Sequence, residues 1–471
     1  MNKNKQTLNK QINIKAKDIF TFLFISMLLP NALFALSSFQ FGFQRSYINL
    51  DYFLPCLLLL SHKRVSKIIA CSLYAALTLI DAGMLLLEYF PSMNIKDIPY
   101  LLGFILSADL VLIVLFFATL FYILVTVYAS YRLSKNTKPF ASLLITATVI
   151  FIHCFIYLAE PYYTTPIKNI ITESRIGFLI QNREKNFIKI NNADALHSTP
   201  WLNATQPWFN ALKQNKPLNK KLLLIVAESW GQPNNSAIQD GVLQKLKAQH
   251  AHFDFFEQGS HPFLGLTVQA ELRELCRLDS NTLDLREVKS GFNNCLPNLL
   301  AKRGYKTHAM HNATSFMYGR DNWYKLAGFQ RSWFKENLNI AKQCVPFDGI
   351  CDWDMLPKLK QILAQYANIF SYWLTLTAHF YYAESDIHTQ RFQCADYKLP
   401  KGDACQNLRH QAQFFDNLAS IISNPEMRGV EIIIVGDHVP PLFGAQDLVY
   451  KRENPTSRKA HVPWIYFRIK D

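Results

Sequence analysis

Four short apolar runs in the second half of this 471-residue chain each lead to a residue that can hold a metal or move a proton. Leu222 to Ala227 stops at Glu228, and Ile432 to Val435 stops before Gly436-Asp437-His438. Tyr305 to Met310 is followed by His311, and Phe370 to Thr377 by His379. Taken singly, Glu228 could cap the helix that follows, and a lone His is more often a satisfied polar residue than a ligand. Four such arrivals point instead to a functional cluster. Carboxylates mixed with imidazoles suit zinc or manganese, whereas an all-oxygen shell would suit magnesium or calcium. Asp437 and His438 would set two ligands side by side on one turn, with Glu228 supplied by another strand.

That cluster needs a nucleophile. The segment Gly265-Leu266-Thr267-Val268-Gln269-Ala270-Glu271-Leu272-Arg273-Glu274-Leu275-Cys276 offers one in Thr267, just past a flexible glycine and entering an amphipathic helix. Backbone N–H groups at a helix N-terminus stabilise phosphate oxygens. A free hydroxyl attacks poorly, and coordination to a metal lowers its pKa. The competing reading is that Thr267 only caps its helix.

Elements must carry these residues to one place. Continuous apolar runs bounded by turn signals suggest strands buried on both faces, and the stretches between them have room for helices, so an α/β sheet is expected. Ligand sites in such sheets lie off the carboxyl ends of the strands. The expected catalytic domain spans 221–471, preceded by a polar, irregular juxtamembrane linker at 161–220.

The first 160 residues are of another kind. A bilayer span needs roughly 20 mostly apolar residues, and the candidates are 18–38, 47–62, 67–90, 103–130 and 139–160, the second being short. Bases between spans fall on one side as Lys3, Lys5, Lys10, Lys15, Lys17, Lys63, Arg64, Lys67, Arg132, Lys135 and Lys138, and on the other only as Arg45 and Lys96. The positive-inside rule then puts the N-terminus in the cytoplasm and the chain after Tyr162 outside it. The first apolar segment is long for a signal peptide and lacks a small-residue cleavage site. Asp81 and Asp109 fall within spans, where a carboxylate is costly and is a functional candidate unless a polar partner faces it.

The net charge of +14 does not imply a nucleic-acid partner. Of 49 Lys/Arg and 35 Asp/Glu, 13 and 7 lie in residues 1–160, which leaves 36 minus 28, or +8, for the rest of the chain, without a long basic run. Cys56, Cys71 and Cys154 fall in spans and act as small apolar residues. The other six, Cys276, Cys295, Cys344, Cys351, Cys394 and Cys405, lie in the exported half and none has C-x2-C spacing, which disfavours a zinc knot. Six cysteines allow 15 connectivities. Sequential pairing of neighbours is the expectation, in keeping with an oxidising compartment.

In order and approximate spacing, Glu228, the Thr267 segment, His311 followed by Tyr318 and Gly319-Arg320-Asp321, His379, and Gly436-Asp437-His438 resemble the membrane-anchored sulfatase-like transferases of the alkaline phosphatase superfamily. That group includes lipoteichoic acid synthase and the lipid A phosphoethanolamine transferases, and the resemblance covers nearly the whole chain. It implies a multi-pass membrane domain joined to an alkaline-phosphatase/sulfatase-like α/β domain. It further implies that Glu228, Thr267, Asp437 and His438 hold the metal, that Thr267 is the nucleophile, and that His311, His379, Tyr318 and Arg320 contact the transferred group. Tyr318 stands where the synthase has Trp. The loop Cys344–Cys351, the pair Cys394/Cys405 and the His461 segment Ala460-His461-Val462-Pro463 resemble the phosphoethanolamine enzymes, whereas Glu271 after Thr267 resembles the synthase. Val439-Pro440-Pro441 after His438 matches neither.

The implied reaction moves phosphoethanolamine or phosphoglycerol from a membrane phospholipid through Thr267 to a hydroxyl of an envelope glycan or lipid A. The expected setting is the bacterial inner membrane, with the domain in the periplasm and the protein a monomer. A phosphodiesterase or sulfatase-type hydrolase is the alternative, although the Thr267 segment lacks the C/S-x-P-x-R motif of sulfatases.

Overall fold

The computed structural model describes residues 21–40, 48–89, 98–99, 110–135, 147, 151, 172–177 and 195–471, the last range without 339, 341, 342, 381, 443 and 453–458. The chain forms two compact units, Met1–Lys189 and Ile190–Asp471.

In the first unit the described helices are α1 (Leu29–Gln40), α2 (Phe53–Leu59), α3 (Arg64–Tyr89) and α4 (Leu110–Ser134). Among the described residues two segments, Arg64–Leu85 and Phe116–Ser134, are long and apolar enough to cross a bilayer. Thr21–Ser37 and Leu50–Leu59 are shorter apolar helices. The expected second span is thus only a short helix, because Asn49 takes the backbone N–H of Asp51 at its start and Ser61 to Lys63 leave the helical path. Most of 139–160, together with Asp109 and Cys154, lies outside the described residues.

Asp81 has the polar company its position requires. It is buried in α3, accepts hydrogen bonds from Tyr52 Oη at 2.7 Å and Asn49 Nδ2 at 3.2 Å, and lies 3.9 Å from Arg175 Nε. Asp51 takes Ser174 Oγ at 2.5 Å and the Ile176 backbone N–H at 2.9 Å. A short parallel pair, β1 (Ile48–Asn49) with β2 (Thr172–Glu173), brings these segments together.

The second unit is built on a seven-stranded sheet. Its strands run from β4 (Lys221–Ala227) through β5 (Phe253–Phe263), β7 (Lys306–His311), β8 (Arg331–Trp333), β9 (Ile369–Leu374) and β10 (Val430–Gly436) to β11 (Ala460–Ile469). The order is β5-β11-β10-β4-β9-β7-β8, and a separate pair joins β3 (Leu196–Ser198) to β6 (Leu278–Ser280). From β10 to β8 all neighbours are parallel, while β11 and β5 are antiparallel additions at one edge.

The apolar runs are buried on both faces, as continuous strands of this kind require. On β9, Phe370 and Tyr372 meet Phe329 and Tyr324 on one side, while Trp373 meets Phe414 on the other. The expected α/β architecture is therefore present. All three cysteine pairs are sequential: Cys276–Cys295, Cys344–Cys351 and Cys394–Cys405.

The second compact unit begins at Ile190 and so takes in the end of the expected linker together with the expected catalytic domain at 221–471. In that stretch the helix α5 (Gln206–Lys213) buries Trp208 and Phe209. Trp208 Nε1 donates to Glu431 Oε1 of β10 at 2.7 Å, and its ring meets Phe370 edge-on. Trp208→Ala is expected to destabilise the domain by roughly 3–5 kcal/mol, the cost of emptying a large buried aromatic site. An unchanged midpoint in thermal or denaturant unfolding would return residues 206–213 to the status of a passive linker.

Candidate metal centre and nucleophile

Strand register does the first part of the assembly. Ala227 pairs with Gly436, so Glu228 and Asp437 leave the sheet at the same level from adjacent strands. Leu374 is level with both Val226 and His311, which brings the His311 and His379 ends to the same edge. A Cβ on Gly436 would collide with the backbone oxygen of Trp230, so this position requires glycine.

Glu228, Asp437 and His438 present ligand atoms that all lie within 4.8 Å of one another. His438 Nδ1–H donates to the Val439 carbonyl at 2.8 Å, which directs Nε2 to 3.3 Å from Asp437 Oδ2 and 3.7 Å from Glu228 Oε1. Asp437 Oδ2 is buried and accepts no hydrogen bond. In the neutral imidazole that nitrogen is an acceptor, so lone pairs converge from three sides and a cation completes them. The donor set fits zinc or manganese.

Thr267 opens helix α6 (Thr267–Cys276), and its hydroxyl is not used as a cap. The N-cap residue is Leu266, whose N–H is taken by Gln269 Oε1 at 3.0 Å. Thr267 Oγ1 instead lies 3.5 Å from Glu228 Oε2 and 3.4 Å from His438 Nε2. The helix is buried along its whole length, and its charged residues hold it in place. Glu271 pairs with Arg320, Arg273 Nη2 donates to the Gly436 carbonyl at 3.0 Å, and Glu274 Oε2 accepts from the Thr205 N–H at 3.1 Å.

The other expected residues fall around this centre. His311 Nδ1 faces the Leu374 carbonyl at 3.2 Å and His379 Nδ1 the Phe380 carbonyl at 2.5 Å, so each presents Nε2, as His438 does. Burial, with the Arg320 charge adding to it, drives the His311 pKa well below the usual range, and burial lowers that of His379 to about 4. Both are neutral at pH 7. Arg320 is buried at the start of α7 (Arg320–Ala327), with its guanidinium carbon 4.9 Å from the Tyr318 ring centre. Tyr318 holds a positive φ of 58° immediately before Gly319, a tight turn that re-aims the chain into α7. His461 lies on β11, with Nδ1 3.4 Å from Ser260 Oγ.

Several contributors were not singled out from the sequence. Ser229, at φ 53°, donates its N–H to Asp437 Oδ1 at 2.7 Å and its hydroxyl to Glu228 Oε1 at 2.9 Å, orienting both carboxylates. Asn407 and Gln411, on α9 (Asp403–Ala419), donate to the carbonyls of Ser229 and Glu228 at 3.1 and 2.8 Å. Asp352 opens α8 (Asp352–Gln365) and accepts from Asn312 Nδ2 at 2.8 Å, Leu376 N at 2.9 Å and Thr377 N at 3.1 Å. It thereby ties the His311 and His379 loops together. A polar residue directly following a glutamate or a disulfide cysteine was the only available signal.

The fold and this site define an α/β domain in which a threonine hydroxyl lies beside a Glu-Asp-His group able to hold a metal. The family model described as Sulfatase matches residues 220–469, and the chain belongs to that family. No curated protein sequence matches the chain. Among solved structures, similarity extends to the lipoteichoic acid synthase LtaP from Listeria monocytogenes at 13% identity and a TM-score of 0.39, covering 56% of this chain and 71% of that one. The Streptococcus pyogenes phosphoglycerol transferase GacH, in complex with sn-glycerol-1-phosphate, gives 14% and 0.42, covering 58% and 78%. The C-terminal periplasmic domain of EptC from Escherichia coli gives 14% and 0.34, covering 54% and 74%.

Burial and the neighbouring Glu228 carboxylate push Asp437 up to about 7, and burial raises Glu228. Burial alone would lower the His438 pKa, but Asp437 and Glu228 hold it above its usual value. A carboxyl whose folded pKa is raised stabilises the fold most below the unfolded pKa and loses that contribution as pH rises through the folded value. The metal-free protein should therefore lose stability between roughly pH 4 and 7. Added zinc or manganese should raise the unfolding temperature more at pH 8 than at pH 5, since the ion replaces protons. Equal shifts at both values, measured by scanning calorimetry, would remove the triad as the binding site.

Proposed function

We propose that this protein transfers a phospholipid head group, phosphoethanolamine or phosphoglycerol, through a covalent intermediate on Thr267 to a hydroxyl of an envelope glycan or lipid A. The observation that carries this reading is the Thr267 hydroxyl. It sits at the first position of a buried helix, within 3.5 Å of Glu228 and His438, with its capping function assumed by Gln269.

Glu228, Asp437, His438 and the Thr267 oxygen would hold zinc or manganese. What the ion would supply when bound is Lewis acidity that makes the hydroxyl easier to deprotonate and offsets negative phosphoryl oxygens. Thr267 Oγ attacks phosphorus, forming the Oγ–P bond as the P–O bond to diacylglycerol breaks. The proton lost by the threonine balances the one gained by the departing diacylglycerol oxygen. An acceptor hydroxyl then forms its own bond to phosphorus, and its proton returns to Thr267 Oγ as the Oγ–P bond breaks. His311 and His379, neutral and directed by their carbonyl partners, present an acceptor Nε2 to the proton in transit. The α6 N-terminus and Arg320 counter charge on those oxygens, where phosphoryl transfer most needs it.

A lipid donor gives the membrane half its purpose. Five spans would anchor a monomer in a bacterial inner membrane with the catalytic domain in the periplasm. The distribution of bases between spans, the two long apolar helices and the three disulfides support this placement.

Intact-mass measurement of protein incubated with phosphatidylethanolamine or phosphatidylglycerol should reveal one head-group adduct on Thr267, whose mass identifies the donor. Thr267→Ala should abolish the adduct and lower turnover by roughly 10³-fold or more, as loss of a covalent nucleophile does. Full activity in that variant, or active protein without an adduct from either lipid, would refute the covalent route.

A further inference from the structure

Arg320 and Glu271 are 1% and 0% exposed, far from the usual state of charged side chains. Arg320 donates through Nε at 3.0 Å and Nη2 at 2.8 Å to a single oxygen, Glu271 Oε2. The other oxygen, Oε1, accepts from Tyr372 Oη at 3.0 Å and also from Tyr324 Oη. The carboxylate is thus gripped from β9 and α7 while belonging to α6, the helix that opens with Thr267. Positions 267 and 271 are four apart and share a helix face.

A guanidinium is a rigid planar fork. When the edge formed by Nε and Nη2 is held by one carboxylate oxygen, the donors of Nη1 point away from that oxygen. Glu271 stands one turn from Thr267 on α6, so the guanidinium it holds is kept beside the helix that carries the hydroxyl.

We propose that Glu271 is a positioning residue: it locks the Arg320 guanidinium in register with Thr267, so that the remaining donors meet the anionic group transferred through that hydroxyl. This rests on the proposed role of Arg320 in contacting that group. Thr267 and Glu271 are one helical turn apart on α6, so the carboxylate that holds the fork stands at a fixed distance from the nucleophile. Lysine could neutralise Glu271 but could not present a planar fork.

The test uses the full-length protein in detergent, with two probes: inorganic phosphate, whose affinity is measured by calorimetry on metal-loaded protein, and turnover of the phospholipid donor. Arg320→Ala should weaken phosphate binding by roughly tenfold or more, the loss expected for a charged hydrogen bond. Added guanidinium should restore much of that affinity, because Glu271 still offers the cation a docking point. In Arg320→Ala/Glu271→Gln, which keeps the buried site neutral and so protects the fold, guanidinium should restore nothing. A purely structural Glu271 would not make rescue depend on its charge. Equal rescue in the single and double variants would overturn the proposal, as would Glu271→Gln keeping wild-type phosphate affinity. If phosphate binding and rescue behave as expected while neither phospholipid is turned over, the transferase reading fails and the positioning role stands.

Discussion

Two buried carboxylates and a partly buried imidazole nitrogen aimed at one another are the constraint around which this domain is arranged. Facing acceptors repel, and burial removes the water that would screen them. The surrounding chain holds them there regardless. Ser229 bonds both acids, Thr375 Oγ1 takes the Glu228 N–H at 2.9 Å, Gln411 holds the Glu228 carbonyl, and Arg273 pins the carbonyl preceding Asp437. An arrangement that disfavours itself without a cation is what a preorganised metal site looks like.

The same logic explains why α6 is buried with charges on it. An apolar helix would pack in several rotations of nearly equal energy. Glu271, Arg273 and Glu274 each have a different fixed partner, so the helix has one orientation, and Thr267 is delivered to the triad in that orientation alone. Buried ion pairs add little net stability, so their contribution here is to specificity of placement.

The centre was legible in the sequence because its residues sit at the ends of apolar strands, where topology forces convergence. Glu228, His311, His379 and Asp437-His438 could be found that way, and neighbouring cysteines paired as expected. Ser229 and Asp352 could not, since their importance lies in a left-handed backbone at one and a network across two loops at the other. The packing of α5, in the stretch read as a linker, could not be foreseen, since its hold on the sheet depends on a tryptophan bonded to Glu431, more than 200 residues away. In the first unit, hydropathy located apolar segments but could not foresee that Asp81 would find Tyr52, Asn49 and Arg175, partners drawn from two separate stretches of chain.

Each disulfide borders an element that reaches the centre. Cys276 ends α6, Cys351 immediately precedes Asp352, and Cys405 lies in the first turn of α9, ahead of Asn407 and Gln411. Thiols stay reduced in the cytosol and oxidise after export. In an oxidising compartment the same three bonds would therefore close the frame of the site, so that its maturation answers to redox conditions as well as to folding.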